Sequence, residues 1–61
     1  MAKMTPAELR AEMDYRITER LALLGCYDAR QTPEWAARAA AAEAERWAER
    51  NEPAAWKELK T

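Results

Sequence analysis

The chain has 61 residues, which is one small domain at most, in the size range where a folded monomer buries too little surface to be comfortably stable. Ten basic and eleven acidic residues give a formal net charge of −1, so no excess of positive charge favours nonspecific binding to a phosphate backbone. The chain has no histidine, no serine, one cysteine and one glycine, and we therefore expect no catalytic site, no metal site and no cofactor.

The first predicted helix begins with a strong start signal. Thr5-Pro6-Ala7-Glu8 offers a capping hydroxyl, a proline for the first helical position and a glutamate that can reach back to the cap. Met4 and Leu9 can pack together across this start as a hydrophobic staple. Gly25, the only glycine, is suited to the left-handed residue that ends a helix. The pattern predicts a helix over about 6–24.

This helix carries two sets of apolar residues, one of large side chains and one of mostly small side chains. Large residues share about a third of its circumference and predict a core-facing stripe formed by Leu9, Met13, Ile17, Leu21 and Leu24. A second, milder set lies on the other side, beyond Asp14, and comprises Ala7, Ala11, Tyr15, Thr18 and Ala22. We expect the first set to build the fold and the second to be available to another subunit.

A second helix is predicted over about 33–50, after a connection formed by residues 26–31. Thr32-Pro33-Glu34 repeats the start signal, and the short connection favours an antiparallel hairpin. We interpret Cys26 in this connection as a reduced, packed thiol. One broad face is rich in small residues and contains Ala36, Ala37, Ala40, Ala41, Ala44, Trp47 and Ala48. Ion pairs are expected on the outer surface for Glu34 with Arg38 and Glu43 with Arg46.

A short third helix is predicted over about 53–59, because Pro53 cannot continue the second helix. The three tryptophans are unusual in so small a chain. We expect Trp47 to pack into the fold. For Trp35 we favour packing under Tyr27 and the connection, with exposure to solvent as the alternative. Trp56 and Leu59 are expected to cap the end of the hairpin, with a portable binding motif as the alternative.

The fold class is therefore all-α: an antiparallel helical hairpin with a short C-terminal third helix, in a single domain spanning 1–61. A lone cysteine cannot form an internal disulfide, and zinc has no histidine ligand, so self-association remains as the supplement to a thin core. We predict a homodimer that forms a four-helix bundle. The apolar stretches are too short to span a bilayer and no signal sequence is evident, so we expect a cytoplasmic protein.

The leading functional hypothesis is a non-enzymatic accessory or inhibitory protein that docks onto a larger protein. Its small size and its alanine, arginine and glutamate usage suit a phage or mobile-element antagonist of a host system, of which an anti-CRISPR would be one instance. The candidate contact residues are Trp35, Trp56, Leu59 and Tyr15. A plain oligomerisation module is a further alternative.

A nucleic-acid-binding regulator of the helix-turn-helix type is the other hypothesis. Its candidate contacts are Arg10, Arg16, Arg20 and Arg30, with the segment from Thr32 onward as the recognition helix. Interspersed acidic residues reduce the local positive potential, and the turn is longer than usual for this motif. Nucleic acid is therefore the less favoured partner.

Overall fold

The computed structural model describes residues 3–61, and at Ala29 the backbone alone. Two long helices pack against each other and a short third helix packs against both. The elements are α1 (Pro6–Leu23), a single 3-10 turn (Ala29–Gln31), α2 (Glu34–Asn51) and α3 (Pro53–Lys60). The predicted all-α hairpin with a short third helix is confirmed.

The start of α1 is the predicted capping box. The backbone N–H of Glu8 donates to Thr5 Oγ1 at 3.1 Å, and the backbone N–H of Thr5 donates to Glu8 Oε1 at 2.9 Å. Both amides would otherwise lack partners at the helix end. Met4 packs against the cluster that contains Leu9, as the staple requires. Hydrogen bonding to the Glu8 carboxyl, first from the Thr5 backbone N–H and second from the Thr5 side chain, lowers the pKa of that carboxyl.

The lowered pKa of Glu8 makes the stability of α1 depend on pH. Because the folded-state pKa lies below the unfolded value, the charged Glu8 contributes stability that is fully present above the unfolded pKa. That contribution is lost as pH falls through the folded pKa. We expect Glu8→Gln, which keeps the hydrogen-bond acceptor and removes the charge, to be less stable than the wild type at neutral pH and equal to it in acid. Thermal unfolding followed by circular dichroism over a pH series would measure the difference. A constant difference between the two proteins at all pH values would contradict this account.

The end of α1 is a Schellman motif centred on the single glycine. Gly25 has φ = 80°, a left-handed conformation that side chains disfavour. Its N–H donates to the carbonyl of Ala22 at 3.0 Å, and the N–H of Cys26 donates to the carbonyl of Leu21 at 2.8 Å. The predicted role of Gly25 is confirmed, and the last helical residue is Leu23 because Leu24 is the C-cap.

The second start signal does not work as predicted. The Thr32 hydroxyl donates to the backbone carbonyl of Asp28 at 2.9 Å, so it closes the connection and does not cap α2. The carboxylate of Asp28 accepts the backbone N–H of Arg30 at 2.9 Å in the same turn. The N-cap of α2 is Pro33, without a side-chain hydrogen bond, and the helix begins at Glu34. Local turn bonds of this kind compete with helix caps for hydroxyl groups.

The buried core of the described residues is small and consists mostly of alanine. Its only large members are Leu9 and Met13, and the alanines are Ala36, Ala40, Ala44, Ala48 and Ala55. Most of the predicted alanine face of α2 is thus confirmed, although Ala37 is exposed. Leu24 was expected in the core-facing stripe, but it is 45% exposed because it lies beyond the last turn of α1. Ile17 and Leu21 are half-buried.

The third helix closes the hairpin at the end away from the connection. Trp56 and Leu59 are half-buried and pack against the core cluster, as the capping hypothesis predicted. The backbone N–H of Met4 donates to Glu52 Oε1 at 3.0 Å, which joins the start of α1 to the junction of α2 and α3. The two ends of the hairpin therefore differ: one is covered by α3, and the other is formed by the connection alone.

Candidate protein-binding surfaces

Large exposed apolar side chains concentrate near the connection. Four of the five large exposed apolar residues in the described chain lie in the connection or next to it. We call these four residues the loop end: Leu23, Leu24, Tyr27 and Trp35. Leu23 is the last residue of α1 and Trp35 the second of α2. Because α1 and α2 are antiparallel, these residues lie at the same end of the hairpin. The third helix does not cover the loop end.

Trp35 does not pack under the connection, so that prediction was wrong. Trp35 is 66% exposed, and Tyr27, its expected cover, is 85% exposed. The physical reason is the helical period of α2. Ala36 lies on the buried side, and Trp35 then projects about 100° away from it. Trp35 is therefore accessible to a partner, as its place among the candidate contact residues requires.

Tyr15 is the fifth exposed residue, and it lies on the outer side of α1. It is 62% exposed, and the side chains next to it on the same side of the helix are small. We call this set the Tyr15 face: Ala11, Tyr15, Thr18 and Ala22. These positions, at i, i+4, i+7 and i+11, fall within about 60° of the helix circumference. The sequence had already grouped them, and the structure leaves them without a packing partner except for the half-buried Ala22.

Acidic groups border the Tyr15 face. Asp14 and Glu19 are exposed, and neither forms an ion pair within residues 3–61. Hydrogen bonding of the Tyr15 hydroxyl to the Glu19 carboxylate, together with the negative charge of Glu19, raises the pKa of the Tyr15 phenol. The face thus combines an aromatic centre, small neighbours and uncompensated negative charge.

The other two candidate contact residues have packing roles. Trp56 and Leu59 extend from α3 onto the core cluster. The Lys60 ammonium lies 5.6 Å from the centre of the Trp56 ring. Replacing either residue would disturb the fold as well as any contact. Of the four candidates, Tyr15 and Trp35 are the accessible ones, and they lie on separate surfaces.

The four arginines of the nucleic-acid hypothesis do not form a stripe of free charges. Arg16 Nε lies 2.8 Å from Glu12 Oε2, and its guanidinium carbon lies 3.8 Å from the centre of the Trp47 ring. Arg20 Nε lies 2.7 Å from Glu43 Oε2 on the facing helix. The expected Glu43–Arg46 pair is therefore replaced by an interhelical one, whereas the Glu34–Arg38 pair is present at 2.6 Å.

The remaining candidates of that hypothesis, Arg10 and Arg30, are exposed and far apart along the fold. Arg10 belongs to the first half of α1, and Arg30 lies in the 3-10 turn. Because α1 runs from the α3-covered end toward the connection, Arg10 and Arg30 lie toward opposite ends of the hairpin.

Residues 3–61 contain no cluster of three or more histidine, cysteine, aspartate or glutamate side chains that could hold a metal ion. Cys26 is a free, half-buried thiol. None of the helices described between residues 3 and 61 is long and apolar enough to cross a membrane.

The chain matches no family model, no curated protein and no solved structure.

Proposed function

We propose that the chain is a small non-enzymatic protein that docks onto a larger protein through the Tyr15 face. The observation that carries this proposal is Tyr15 itself, which is 62% exposed at the centre of a face of small residues and bordered by acids without ion pairs. Tyrosine is enriched among the residues that contribute most to protein–protein binding, because its ring offers a large contact area with few rotamers.

The chemistry of the face indicates what the partner surface presents. Ala11 and Ala22 allow the backbone of another helix to come close, so that Tyr15 can fill a pocket beside it. Asp14 and Glu19 favour lysine or arginine around that pocket and oppose an acidic neighbour. The partner is therefore a protein with an apolar pocket surrounded by basic residues. If the larger protein uses that basic surface for its own activity, docking of this chain would cover the surface and inhibit it.

The same features weigh against the nucleic-acid alternative. A face bordered by carboxylates repels phosphate, and Arg16 and Arg20 already neutralise Glu12 and Glu43 within the chain. A phage or mobile-element antagonist of a host system, such as an anti-CRISPR, remains one instance of the proposed class. It rests on composition and size alone.

Site-specific photo-crosslinking tests the proposal. The photo-reactive residue p-benzoylphenylalanine is introduced at Tyr15 and, as a matched control, at Tyr27, which is also an exposed tyrosine. After irradiation in a lysate of the producing cell, we expect position 15 to give a covalent product with a larger protein that position 27 does not give. Asp14→Lys and Glu19→Lys introduced together are expected to remove that product.

Three results would contradict the proposal. The first is the same set of crosslinked proteins from positions 15 and 27, and the second is a product that persists when both acids are replaced by lysine. The third is loss of the product after nuclease treatment of the lysate, which would identify nucleic acid as the ligand.

A further inference from the structure

We propose that the loop end is the surface at which a second copy of this chain binds. Leu23, Tyr27 and Trp35 are 75%, 85% and 66% exposed, although they are among the largest apolar side chains of the protein. Tyr15 belongs to a different surface, so this proposal does not depend on the docking function of the Tyr15 face.

The accessible surface of the molecule is larger than the surface expected of a folded monomer of the same mass. The total is 4944 Å² for 7.0 kDa, whereas the scaling of folded monomers gives about 4000 Å² at this mass. The excess of about 900 Å² is a property of the whole molecule, and a stable interface of standard size takes roughly 800 Å² from each partner. Aromatic side chains bury about 150–250 Å² each, so the two aromatic residues of the loop end supply a large part of such an interface.

The two broad sides of the hairpin are less suitable for a second copy. On one side, α3 takes up part of the surface, with Trp56 and Leu59 packed against the core cluster that contains Leu9 and Met13. On the other side, the seam between α1 and α2 carries the Arg20–Glu43 ion pair and the Arg16 guanidinium over Trp47. Burying these charges in a bundle core would carry a desolvation penalty that the pairing must overcome. The loop end therefore replaces the side-by-side four-helix bundle as the proposed mode of pairing.

The charges at the loop end are compatible with a twofold contact. The connection contains one carboxylate, Asp28, and one guanidinium, Arg30, and neither belongs to an ion pair within the described residues. A twofold axis places the same patch on both sides of an interface, so each Asp28 can face the other copy's Arg30. A self-complementary, mostly apolar patch favours a second copy over a strongly charged partner.

Sedimentation equilibrium of the 61-residue chain over a range of concentrations tests the proposal. We expect the wild type to reach twice its monomer mass of 7.0 kDa at micromolar concentration. Leu23→Glu and Tyr27→Glu, examined singly, are expected to weaken the dimer at least tenfold, because each places a charge in the apolar contact. Tyr15→Glu is the matched control and is expected to dimerise like the wild type.

Circular dichroism on each variant separates loss of the dimer from loss of the fold. Folded monomers of both loop-end variants, beside a dimeric Tyr15→Glu, support the proposal. A monomeric wild type at all concentrations overturns it, as do folded loop-end variants that dimerise normally. If a loop-end variant unfolds, Trp35→Gln takes its place under the same criteria, and normal dimerisation by all folded variants overturns the proposal.

Failure of this proposal can be distinguished from failure of the proposed function. The crosslinking test depends on position 15 and on a foreign protein, whereas sedimentation uses the purified chain and residues of the loop end. Tyr15→Glu should remove docking and retain the dimer, and Leu23→Glu should do the reverse.

Discussion

Replacing Leu9 with alanine is expected to lower the free energy of unfolding by about 2–5 kcal/mol. Leu9 is completely buried and is one of only two large side chains in the buried core, so its removal leaves a cavity that alanine neighbours cannot fill. Domains of this size rarely have more than about 3–5 kcal/mol of net stability from a single core. We therefore expect Leu9→Ala to be largely unfolded at 25 °C in far-ultraviolet circular dichroism.

Tyr15→Ala serves as the control for this experiment. It removes a larger side chain from the same helix, but from an exposed position, and is expected to change stability by no more than about 0.5 kcal/mol. A cooperative unfolding transition of Leu9→Ala at nearly the wild-type denaturant midpoint would show that Leu9 does not organise the core.

Enlarging a buried alanine is the second change with a large expected effect. Ala48 is completely buried and belongs to the same core cluster as Leu9, on the face of α2 that meets α1. Three extra carbon atoms cannot enter this contact unless the helices separate, and overpacking of this kind costs about 1–3 kcal/mol. We expect Ala48→Leu to lower the urea midpoint of unfolding, measured by circular dichroism.

Ala39→Leu is the matched control for Ala48→Leu. Both residues lie in the interior of α2, and leucine forms helices nearly as well as alanine, but Ala39 is exposed. The control is expected to unfold at the wild-type midpoint within about 0.5 kcal/mol. Equal midpoints for the two leucine variants would mean that the alanine face does not hold α1 and α2 at close range.

The sequence predicted those parts of the fold that depend on local chemistry. The capping box of Thr5 and Glu8 and the left-handed Gly25 each involve residues within a few positions of one another, so their patterns are visible without the tertiary structure. The alanine face of α2 was also predictable, because its positions recur with the helical period.

The errors arose where two local interactions competed or where the partner lay on another helix. Thr32 resembles a cap in sequence, but its hydroxyl donates to the Asp28 carbonyl, and α2 begins at Glu34 without a side-chain cap. Glu43 was paired with Arg46 on its own helix, whereas the structure pairs it with Arg20, which helical spacing could not reveal.

The candidate surfaces were predicted only in part. The Tyr15 face follows from the helical period, and its central residue is exposed as that grouping requires. The loop end could not be predicted, because it depends on how much of the hairpin α3 covers. The half-buried Trp56 and Leu59 show that the covered end is the one away from the connection.

The placement of the three tryptophans has a practical consequence. Trp35 belongs to the loop end. Trp47 lies beneath the Arg16 guanidinium at the seam of the hairpin, and Trp56 packs from α3 against the core cluster. Versions that retain one tryptophan, with phenylalanine at the other two positions, would give separate fluorescence signals for the proposed subunit contact, for pairing of the long helices and for docking of the third. The protein thus contains its own set of optical probes, and the order in which its parts assemble can be followed without an attached dye.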